Sequence, residues 1–459
     1  MSFAGAAGQR SMVQEQLAKT LEGDVLVAGD AGYDAARTVW NAMVDRRPRL
    51  IARCHNVADV RAAVRAAREL NLEIGVRCGG HSVLGLGIPD DGLMIDLTPM
   101  GAVRVDPMQK RAWVQGGALL GALDRATQRH ELATTAGNVS HTGVGGLTLG
   151  GGMGWLARQH GLSCDNVVAF EMVTADGEIV HASQTENADL YWGLRGGGGN
   201  FGVVTEFEFQ LHEVPSAALV TTVSFPIDAA GSVLRTWRDL SVQAPRQATF
   251  TASLPGEENV VTVGFVWVGH PAAGRPLPNM KSLGKPLTES VVEMSYVDLQ
   301  RIDDSPQGHA FRRYMKGHYL RELSDEAIEA LVLSRTEGPA GGRPSVGFQA
   351  YGGAIAEVPE QDTAFTFRET AFEYVASSRW TDAAEDASRI AHARRTAAAL
   401  DPFARGQYVN TLSDEGAEGV RRAYPPDKLA RLTAVKDKYD PENVFHLNNN
   451  IRPSDHRRA

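Results

Sequence analysis

The chain has 459 residues, 43% of them hydrophobic and 22% charged, so it is long enough for two ordinary globular domains. Its 46 Lys and Arg against 55 Asp and Glu residues give a net charge of −9, which argues against a nucleic-acid-binding surface. The sequence has no run of eighteen apolar residues, so we expect no membrane-spanning segment. The three cysteines are too few for a disulfide scaffold and none has metal-ligand spacing, so we expect a cytoplasmic protein without a metal.

The first half of the sequence predicts a helical lead-in followed by an α+β unit. The lead-in is residues 1–46, with a helix ending over Thr38–Val44. Asn56 is placed to cap a helix that Asn71 can end. Alternating apolar residues then predict strands, and a longer amphipathic pattern predicts a helix. These strands are Leu72–Val76, Leu93–Leu97, Val103–Val105, Ala112–Val114, Val167–Val173, Glu178–Ala182 and Val203–Leu211, and the helix is Leu119–Leu132.

The composition changes near Pro215, and the following region predicts an antiparallel sheet covered by helices. The expected strands are Leu219–Phe225, Thr249–Leu254, Val260–Val268 and Ser345–Tyr351, and the expected helices are Asp325–Leu333 and Asp382–Ala399. Residues 271–286 are expected to form a loop. Gly, Asn and Pro interrupt residues 406–459 in a pattern that resembles the one in the first unit. We therefore predict an α+β fold with segments 1–46, 47–215, 216–405 and 406–459.

Three glycine-rich segments carry the clearest chemical signal. They are residues 77–87, 137–154 and 195–204, and His81 follows directly after Gly79 and Gly80. Glycine exposes its backbone N–H groups and tolerates positive φ, so such loops can wrap anionic oxygens closely. The alternative is a set of tight turns that pack against each other. Three segments in one chain favour a large phosphate-bearing cofactor held near His81.

The motifs in these segments resemble a known family. Arg77-x-Gly-Gly-His81-Ser82, the run from Thr142 to Gly154, and Arg195-Gly-Gly-Gly-Gly-Asn200 are similar to the PCMH-type FAD-binding domain of the vanillyl-alcohol oxidase superfamily. Tyr408-Val-Asn410 and the tail Tyr439–Ile451 narrow the resemblance to the berberine-bridge-enzyme-like oxidases, which include bacterial members that oxidise 6-hydroxynicotine. The resemblance implies a two-subdomain FAD-binding domain at 47–215, a substrate-binding domain at 216–405, and a C-terminal segment that returns to the FAD domain.

The resemblance also implies how FAD is held. His81 matches the histidine that carries the flavin through its 8α-methyl group. Many relatives have a second, cysteinyl link four residues before Gly143, where this chain has Val139, so we expect a single covalent link and no cysteinyl link. The other expected FAD-binding residues are Arg77, Cys78, Gly79, Gly80, Ser82, Gly85, Leu86, Asn138, Thr142, Gly143, Gly145, Gly146, Leu147, Gly150, Gly151, Gly154, Val204, Tyr408, Asn448 and Asn450.

Two residues are candidates for the catalytic base. Tyr408 matches a family tyrosine, although a second tyrosine common in relatives is here Thr411. Glu373 lies in a predicted strand that points Glu373 and Val375 to one face, and its alternative interpretation is a surface glutamate. Burial next to the flavin would raise the pKa of Glu373 and make it a usable base. Further candidates for the substrate pocket are Gln349, Tyr351 and Val375, and the group Tyr314, Lys316, His318 and Tyr319.

The resemblance implies an enzyme, an FAD-linked oxidoreductase. We expect an oxidase that takes a hydride from a C–H bond next to O or N of a small alcohol, amine or natural-product ring, and that reduces O2 to H2O2. Thr142, at the family's oxygen-gating position, favours an oxidase. The alternatives are a dehydrogenase with another electron acceptor and a flavin-binding protein without turnover. The expected partners are a small-molecule substrate and O2, with no nucleic acid and no membrane, and the oligomeric state stays open.

Overall fold

A computed structural model describes residues 15, 17–277, 280–305, 308–336 and 341–454. Over these residues the chain forms an α+β fold with sheets of four, five, two and eight strands. In the described part of the chain, no helix combines the length and the apolar character needed to cross a membrane.

The first sheet positions the loop that carries His81. Its strands have the order β1-β2-β4-β3, with β2, β4 and β3 parallel and β1 antiparallel to β2. As predicted, Asn56 caps the covering helix, because its side chain accepts a hydrogen bond from the backbone N–H of Asp59 at 3.0 Å. The elements are β1 Val25–Leu26, α1 Tyr33–Arg37, β2 Leu50–Arg53, α2 Val57–Glu69, β3 Ile74–Arg77 and β4 Leu93–Asp96.

The expected helical lead-in is only partly helical. Helical positions occur at Glu15, Leu17 and Ala18 and again in α1, but β1 is a strand. The predicted helix over Thr38–Val44 is wrong, because this segment is irregular. Its Trp40 backbone N–H donates instead to the carbonyl of Gly80, so the segment packs along the His81 loop.

The second sheet is antiparallel, with the order β5-β6-β10-β8-β9. The predicted hairpin of β8 and β9 is confirmed. The predicted helix Leu119–Leu132 is shorter than expected, since Leu132 and Ala133 pair with a strand instead. The elements are β5 Val103–Asp106, β6 Arg111–Gln115, α3 Leu120–Gln128, β7 Leu132–Ala133, α4 Val144–Leu149, α5 Ala157–His160, β8 Val167–Val173, β9 Ile179–Ser183, α6 Ala188–Leu194, β10 Val203–Gln210 and β11 His212–Glu213.

The eight-stranded sheet confirms the predicted antiparallel architecture of the following region. Its order is β15-β12-β14-β13-β17-β18-β16-β19. The strands are β12 Ala218–Pro226, β13 Ala248–Leu254, β14 Val260–Val268, β15 Thr288–Met294, β16 Arg312–Leu320, β17 Ser345–Ala350, β18 Phe372–Trp380 and β19 Ala404–Gly406. One face packs under helices around Trp237, Phe348 and Tyr374, and the other contributes Tyr319 and Tyr351 to the core of the second sheet.

The helices of this region differ in part from expectation. The helix Ala230–Val242 was not predicted, although Val233, Leu234 and Trp237 form its buried stripe. The helix expected from Asp382 begins at Asp386, because residues 383–385 form a tighter turn. The expected loop 271–286 contains a short helix. The helices are α7 Ala230–Val242, α8 Pro271–Gly274, α9 Tyr296–Leu299, α10 Asp325–Thr336, α11 Ala354–Glu357 and α12 Asp386–Ala398.

The chain then returns to the first two sheets. Helices α13 Gly416–Ala423 and α14 Pro426–Tyr439 follow the last strand. The Lys436 ammonium in α14 is buried, and it donates to the carbonyls of Asn200 and Phe445 and to the carboxylate of Asp440. These bonds fix the C-terminal segment beside the third glycine-rich loop. The segment limits at residues 46, 215 and 405 stay predictions.

Candidate cofactor and active site

A cavity of about 360 Å³ lies where three loops meet the C-terminal segment. The loop after β3, the loop into α4, and the loop between α6 and β10 each contribute glycines to its wall. Residues from 409–412 and 445–449 form a further part of the wall. The three glycine-rich segments of the sequence therefore meet at one place.

The glycines make this cavity possible in two ways. A Cβ at Gly79 would stand 2.2 Å from the backbone nitrogen of Gly143, so the first two loops touch only because neither residue has a side chain there. Gly80 has a φ of +68°, which glycine adopts readily. The Cβ positions of Gly146 and Gly199 meet no protein atom within 4 Å, and both residues line the cavity. Open space beside bare backbone suits a ligand with anionic oxygens, as FAD is.

His81 lies in the wall of this cavity with a fixed ring orientation. Its Nε2 is 2.7 Å from Nδ1 of His141, and its Nδ1 is 3.3 Å from Oγ1 of Thr142. The ring stacks on Trp40 with centroids 5.0 Å apart. Burial, and then the neighbouring His141, lower the pKa of His81 to about 3. The imidazole is therefore neutral at physiological pH, and one of its two nitrogens carries a lone pair.

Cys78 lines the cavity wall near His81. Burial raises the pKa of its thiol to about 11, and its Sγ points to the carbonyl of Ala118 at 3.6 Å. The other two cysteines, Cys54 and Cys164, are buried and free. The residues that the structure describes include no group of three or more His, Cys, Asp or Glu side chains that could hold a metal ion.

The structure brings most of the predicted FAD-binding residues to the cavity wall. Those that line it are Arg77, Cys78, Gly79, Gly80, His81, Ser82, Gly85, Leu86, Thr142, Gly143, Gly145, Gly146, Leu147, Val204 and Asn448. Arg77 also pairs with the buried Asp96 at 3.3 Å, so part of its role is structural. Asn448 donates to the carbonyls of Gly199 and Phe445, which holds the C-terminal wall in place.

The remaining predicted residues do not line the cavity. These are Asn138, Gly150, Gly151, Gly154, Tyr408 and Asn450. Gly150 and Gly151 face Asn410 and Phe365, and Gly154 faces the carbonyl of Ala136, so these glycines allow close packing behind the cavity. The Oδ1 atoms of Asn138 and Asn450 are buried and have no hydrogen-bond partner among the described residues.

Three asparagines of the wall were missed as single residues. Asn200, Asn410 and Asn449 all line the cavity, although Asn200 and Asn410 stood inside recognised motifs. Asn410 donates to the carbonyl of Leu147 at 3.0 Å and to the Tyr408 hydroxyl at 2.9 Å. This residue therefore connects the cavity to the candidate base.

Glu373 lies in a row of side chains on the face of the large sheet that joins the core of the second sheet. Tyr319, Glu373 and Gln349 are direct cross-strand neighbours on β16, β18 and β17. Burial raises the pKa of Glu373 to about 7, while a hydrogen bond from the Tyr351 hydroxyl to its Oε2, 2.8 Å long, favours the charged form. Glu373 is only 9% exposed, so the alternative of a surface glutamate is wrong.

Tyr408 packs in an aromatic cluster with Tyr319 and Tyr351. Its hydroxyl oxygen accepts from the backbone N–H of Gly152 at 2.7 Å as well as from Asn410. Its ring lies 6.1 Å from that of Tyr319, which in turn lies 5.5 Å from that of Tyr351. Burial raises the pKa of Tyr408 above its usual range, so this phenol stays protonated at neutral pH.

The next row of the same sheet face has open space at one of its positions. Val375 stands between Gly317 and Gly347, its direct neighbours on the two flanking strands. A Cβ at Gly347 would meet no atom within 4 Å, so this row is open there. Nε2 of Gln349 is buried and lacks a hydrogen-bond partner among the described residues, and it is thus free to bind a polar group.

The predicted pocket group Tyr314, Lys316, His318 and Tyr319 is divided by the sheet. The alternation of β16 places Tyr319 on the face of Glu373 and the other three on the opposite face. There His318 contacts the carbonyl of Ala397, and Lys316 pairs with Glu415 at 3.4 Å. The interpretation of Tyr314, Lys316 and His318 as pocket residues is therefore wrong.

Comparison with known protein families agrees with this geometry. Residues 48–183 match the family described as FAD binding domain, and residues 407–452 match the family described as berberine and berberine like. An FAD-linked oxidoreductase of Bacillus subtilis is 32% identical, covering 95% of this chain and 99% of that protein. The (R)-6-hydroxynicotine oxidase of Paenarthrobacter nicotinovorans is 31% identical, covering 95% of this chain and 97% of that enzyme.

Two solved structures are similar over nearly the whole chain. The 6-hydroxy-D-nicotine oxidase of Arthrobacter nicotinovorans has a TM-score of 0.84 and 29% identity, covering 95% of this chain and 98% of that one. The glucooligosaccharide oxidase of Acremonium strictum has a TM-score of 0.87 and 28% identity, covering 96% of this chain and 99% of that one. The latter structure is described as containing a 6-S-cysteinyl, 8α-N1-histidyl FAD.

Proposed function

The chain belongs to the berberine-bridge-enzyme-like family of FAD-linked oxidoreductases, and from this premise we propose that it is an oxidase of a small alcohol, amine or natural-product ring. When bound, FAD supplies a hydride acceptor, and O2 takes the electrons away as hydrogen peroxide. The observation that carries the proposal is the buried Glu373, a carboxyl with a pKa of about 7 beside a cluster that Asn410 links to the cavity.

The residues of the cavity wall hold the cofactor in this proposal. His81 is the single covalent anchor, because its neutral ring lies in the wall and Val139 stands where relatives have a cysteine. The backbone of Gly79, Gly145 and Gly146, which lines the cavity, binds the pyrophosphate. An oxidase with one histidyl link thus differs from the glucooligosaccharide oxidase, whose structure is described with two.

The sheet residues act on the substrate. Glu373 accepts the proton of the substrate hydroxyl or amine, since a base with a pKa near the working pH is the most effective. Gln349 binds a polar substituent through its unpartnered Nε2, and the open row at Gly347 gives the substrate room. Tyr408 stays a phenol and orients the substrate oxygen or nitrogen through its hydroxyl group.

The test of this function begins with the purified protein. We expect a yellow protein whose colour stays with the pellet after acid precipitation, and a His81→Ala variant whose flavin is released by acid. A matched control is His181→Ala, an exposed histidine on β9. A screen of alcohols, amines and ring compounds for peroxide release then identifies the substrate.

Two outcomes would contradict the proposal. Rapid anaerobic reduction of the flavin by a substrate, followed by slow reoxidation in air, would select a dehydrogenase. Acid-stable flavin in His81→Ala would show that the anchor is another residue. The cytoplasmic location stays a prediction that cell fractionation can check.

A further inference from the structure

The contact between His81 in the cavity wall and His141 behind it suggests a role for His141 that the proposed function does not include. Nδ1 of His141 lies 2.7 Å from Nε2 of His81, and the two rings are 4.8 Å apart. A hydrogen bond of this length needs one nitrogen with a proton and one with a lone pair. The tautomer of His141 therefore sets which nitrogen of His81 carries its proton.

The surroundings keep the His81 ring from turning over. Trp40 stacks on the ring at an interplanar angle of 17°, and the Arg313 guanidinium covers Trp40 at 4.1 Å from the centroid. Nδ1 of His81 lies on the side of Thr142, which lines the cavity. A half-turn of the ring about its Cβ–Cγ bond would put Cε1 in place of Nε2 and break the bond to His141. The arrangement thus directs Nδ1 toward the cofactor side and Nε2 away from it.

His141 is itself held in place from the substrate-binding region. The preceding residue, Ser140, donates its backbone N–H to Asp304 Oδ1 at 2.8 Å and its hydroxyl to Oδ2 at 2.7 Å. The Nε2 atom of His141 is buried and has no hydrogen-bond partner in the part of the chain that the structure describes. Among the described residues, His141 therefore hydrogen-bonds through Nδ1 alone, and the partner of Nδ1 is His81.

We propose that His141 is a positioning residue for the covalent attachment of FAD, holding the proton of His81 on Nε2 so that the lone pair is on Nδ1, beside Thr142. This inference rests on the proposed histidyl link. The same nitrogen, N1, is named in the description of the glucooligosaccharide oxidase structure. As Nδ1 forms its bond, the Nε2 proton passes to Nδ1 of His141, which prevents a buried positive charge on His81.

The overall step balances with O2 as the oxidant. A C–H bond of the 8α-methyl group and the imidazole N–H bond break, and a C–N bond to His81 Nδ1 forms. The two protons and two electrons released are taken up by O2, which becomes hydrogen peroxide. His141 is not consumed, because the proton that it receives passes to solvent, and solvent supplies the protons that the peroxide takes up.

The experiment compares three His141 variants by the flavin that remains with acid-denatured protein over time after adding FAD. His141→Phe keeps a ring without an acceptor, and His141→Ala removes both. We expect both to slow attachment by about 100-fold, the low end of what a positioned base contributes. His141→Asn places a carboxamide oxygen where Nδ1 lies. This oxygen can hold the proton of His81 on Nε2 but cannot take it up, so the variant should recover only part of the rate. Total flavin bound and melting temperature serve as folding controls.

The outcomes separate the two levels of the proposal. If the Phe and Ala variants attach flavin at the wild-type rate, the role of His141 is refuted while the histidyl link stands. If all three variants lose attachment equally although they bind flavin and stay folded, the hydrogen bond is not the cause and the inference fails. If wild-type protein holds no acid-stable flavin, the covalent link itself is wrong, and the role of His141 falls with it.

Discussion

The hydroxyl of Tyr351 donates a 2.8 Å hydrogen bond to Oε2 of Glu373, a buried carboxyl in the large sheet. Tyr351 follows the end of β17, and Glu373 lies in β18 next to it. Two opposing effects meet at this carboxyl, because burial favours the protonated form and the hydrogen bond favours the charged form. Burial is the larger effect and gives a pKa of about 7, which suits a base that works at neutral pH.

Replacing the carboxyl should remove the base and leave the cofactor site intact. We expect Glu373→Gln to slow substrate-dependent flavin reduction by about 100-fold or more, since a positioned base contributes at least that factor. Anaerobic stopped-flow absorbance measures this rate. The control is Glu369→Gln, which replaces an exposed glutamate four positions before Glu373. Glu369 pairs with Arg321 at the protein surface. A wild-type rate in Glu373→Gln with full flavin content would assign the base to another group.

Removing only the hydrogen bond should change the pH dependence. In Tyr351→Phe the carboxylate of Glu373 loses a donor, so its pKa rises above about 7. The base is active when deprotonated, and the rate of flavin reduction at pH 7 therefore falls and the acid limb of its pH profile moves to higher pH. Tyr424→Phe, which removes a buried hydroxyl bonded to the carbonyl of Gly196, is the control. An unchanged acid limb in Tyr351→Phe would mean that Glu373 does not limit the rate.

Two glycines of the cavity should respond differently to alanine. In Gly79→Ala the new Cβ would stand 2.2 Å from the Gly143 nitrogen, so we expect a lower melting temperature and little folded protein. In Gly146→Ala the Cβ meets no protein atom but enters the cavity wall, so the chain should fold normally and bind less flavin. Thermal unfolding and the ratio of flavin to protein absorbance measure the two effects. Full flavin content in Gly146→Ala would place the cofactor away from this loop.

A buried carboxyl outside the site should make stability depend on pH. Burial raises the pKa of Asp124 in α3 to about 7, although Gln300 donates to it at 3.3 Å. The folded chain then binds a proton that the unfolded chain has lost, so the stabilisation is complete below about pH 4 and disappears as the pH rises through 7. At high pH the buried charge of Asp124 therefore lowers the free energy of unfolding by about 4 kcal/mol.

Asp124→Asn should remove this dependence. We expect the variant to be more stable than wild type at pH 8 and similar to it at about pH 4, as measured by denaturant or thermal unfolding. Glu258→Gln, at an exposed position, is the control and should leave stability unchanged at both pH values. An equal effect of Asp124→Asn at pH 5 and pH 8 would show that packing, rather than charge, decides its stability.

The sequence by itself determined the family, the cofactor class and most of the cavity wall. These features depend on local chemistry: glycines without a Cβ, a histidine directly after them, and an Asn cap are visible in the order of residues. The hairpin of β8 and β9 was predicted for the same reason, since its turn and its alternation lie within a short stretch. The predicted helix over residues 38–44 of the lead-in was wrong, because this segment packs along the His81 loop instead of forming its own helical hydrogen bonds.

Only the tertiary structure decided which residues act together. Tyr319, Glu373 and Gln349 are neighbours because three strands far apart in the chain pair in one register, and the same register separates Tyr319 from Tyr314, Lys316 and His318. The contact between His81 and His141 joins two loops sixty positions apart. Burial, which gives Glu373 and His81 their shifted pKa values, is a property of the assembled core and has no signature in a single segment.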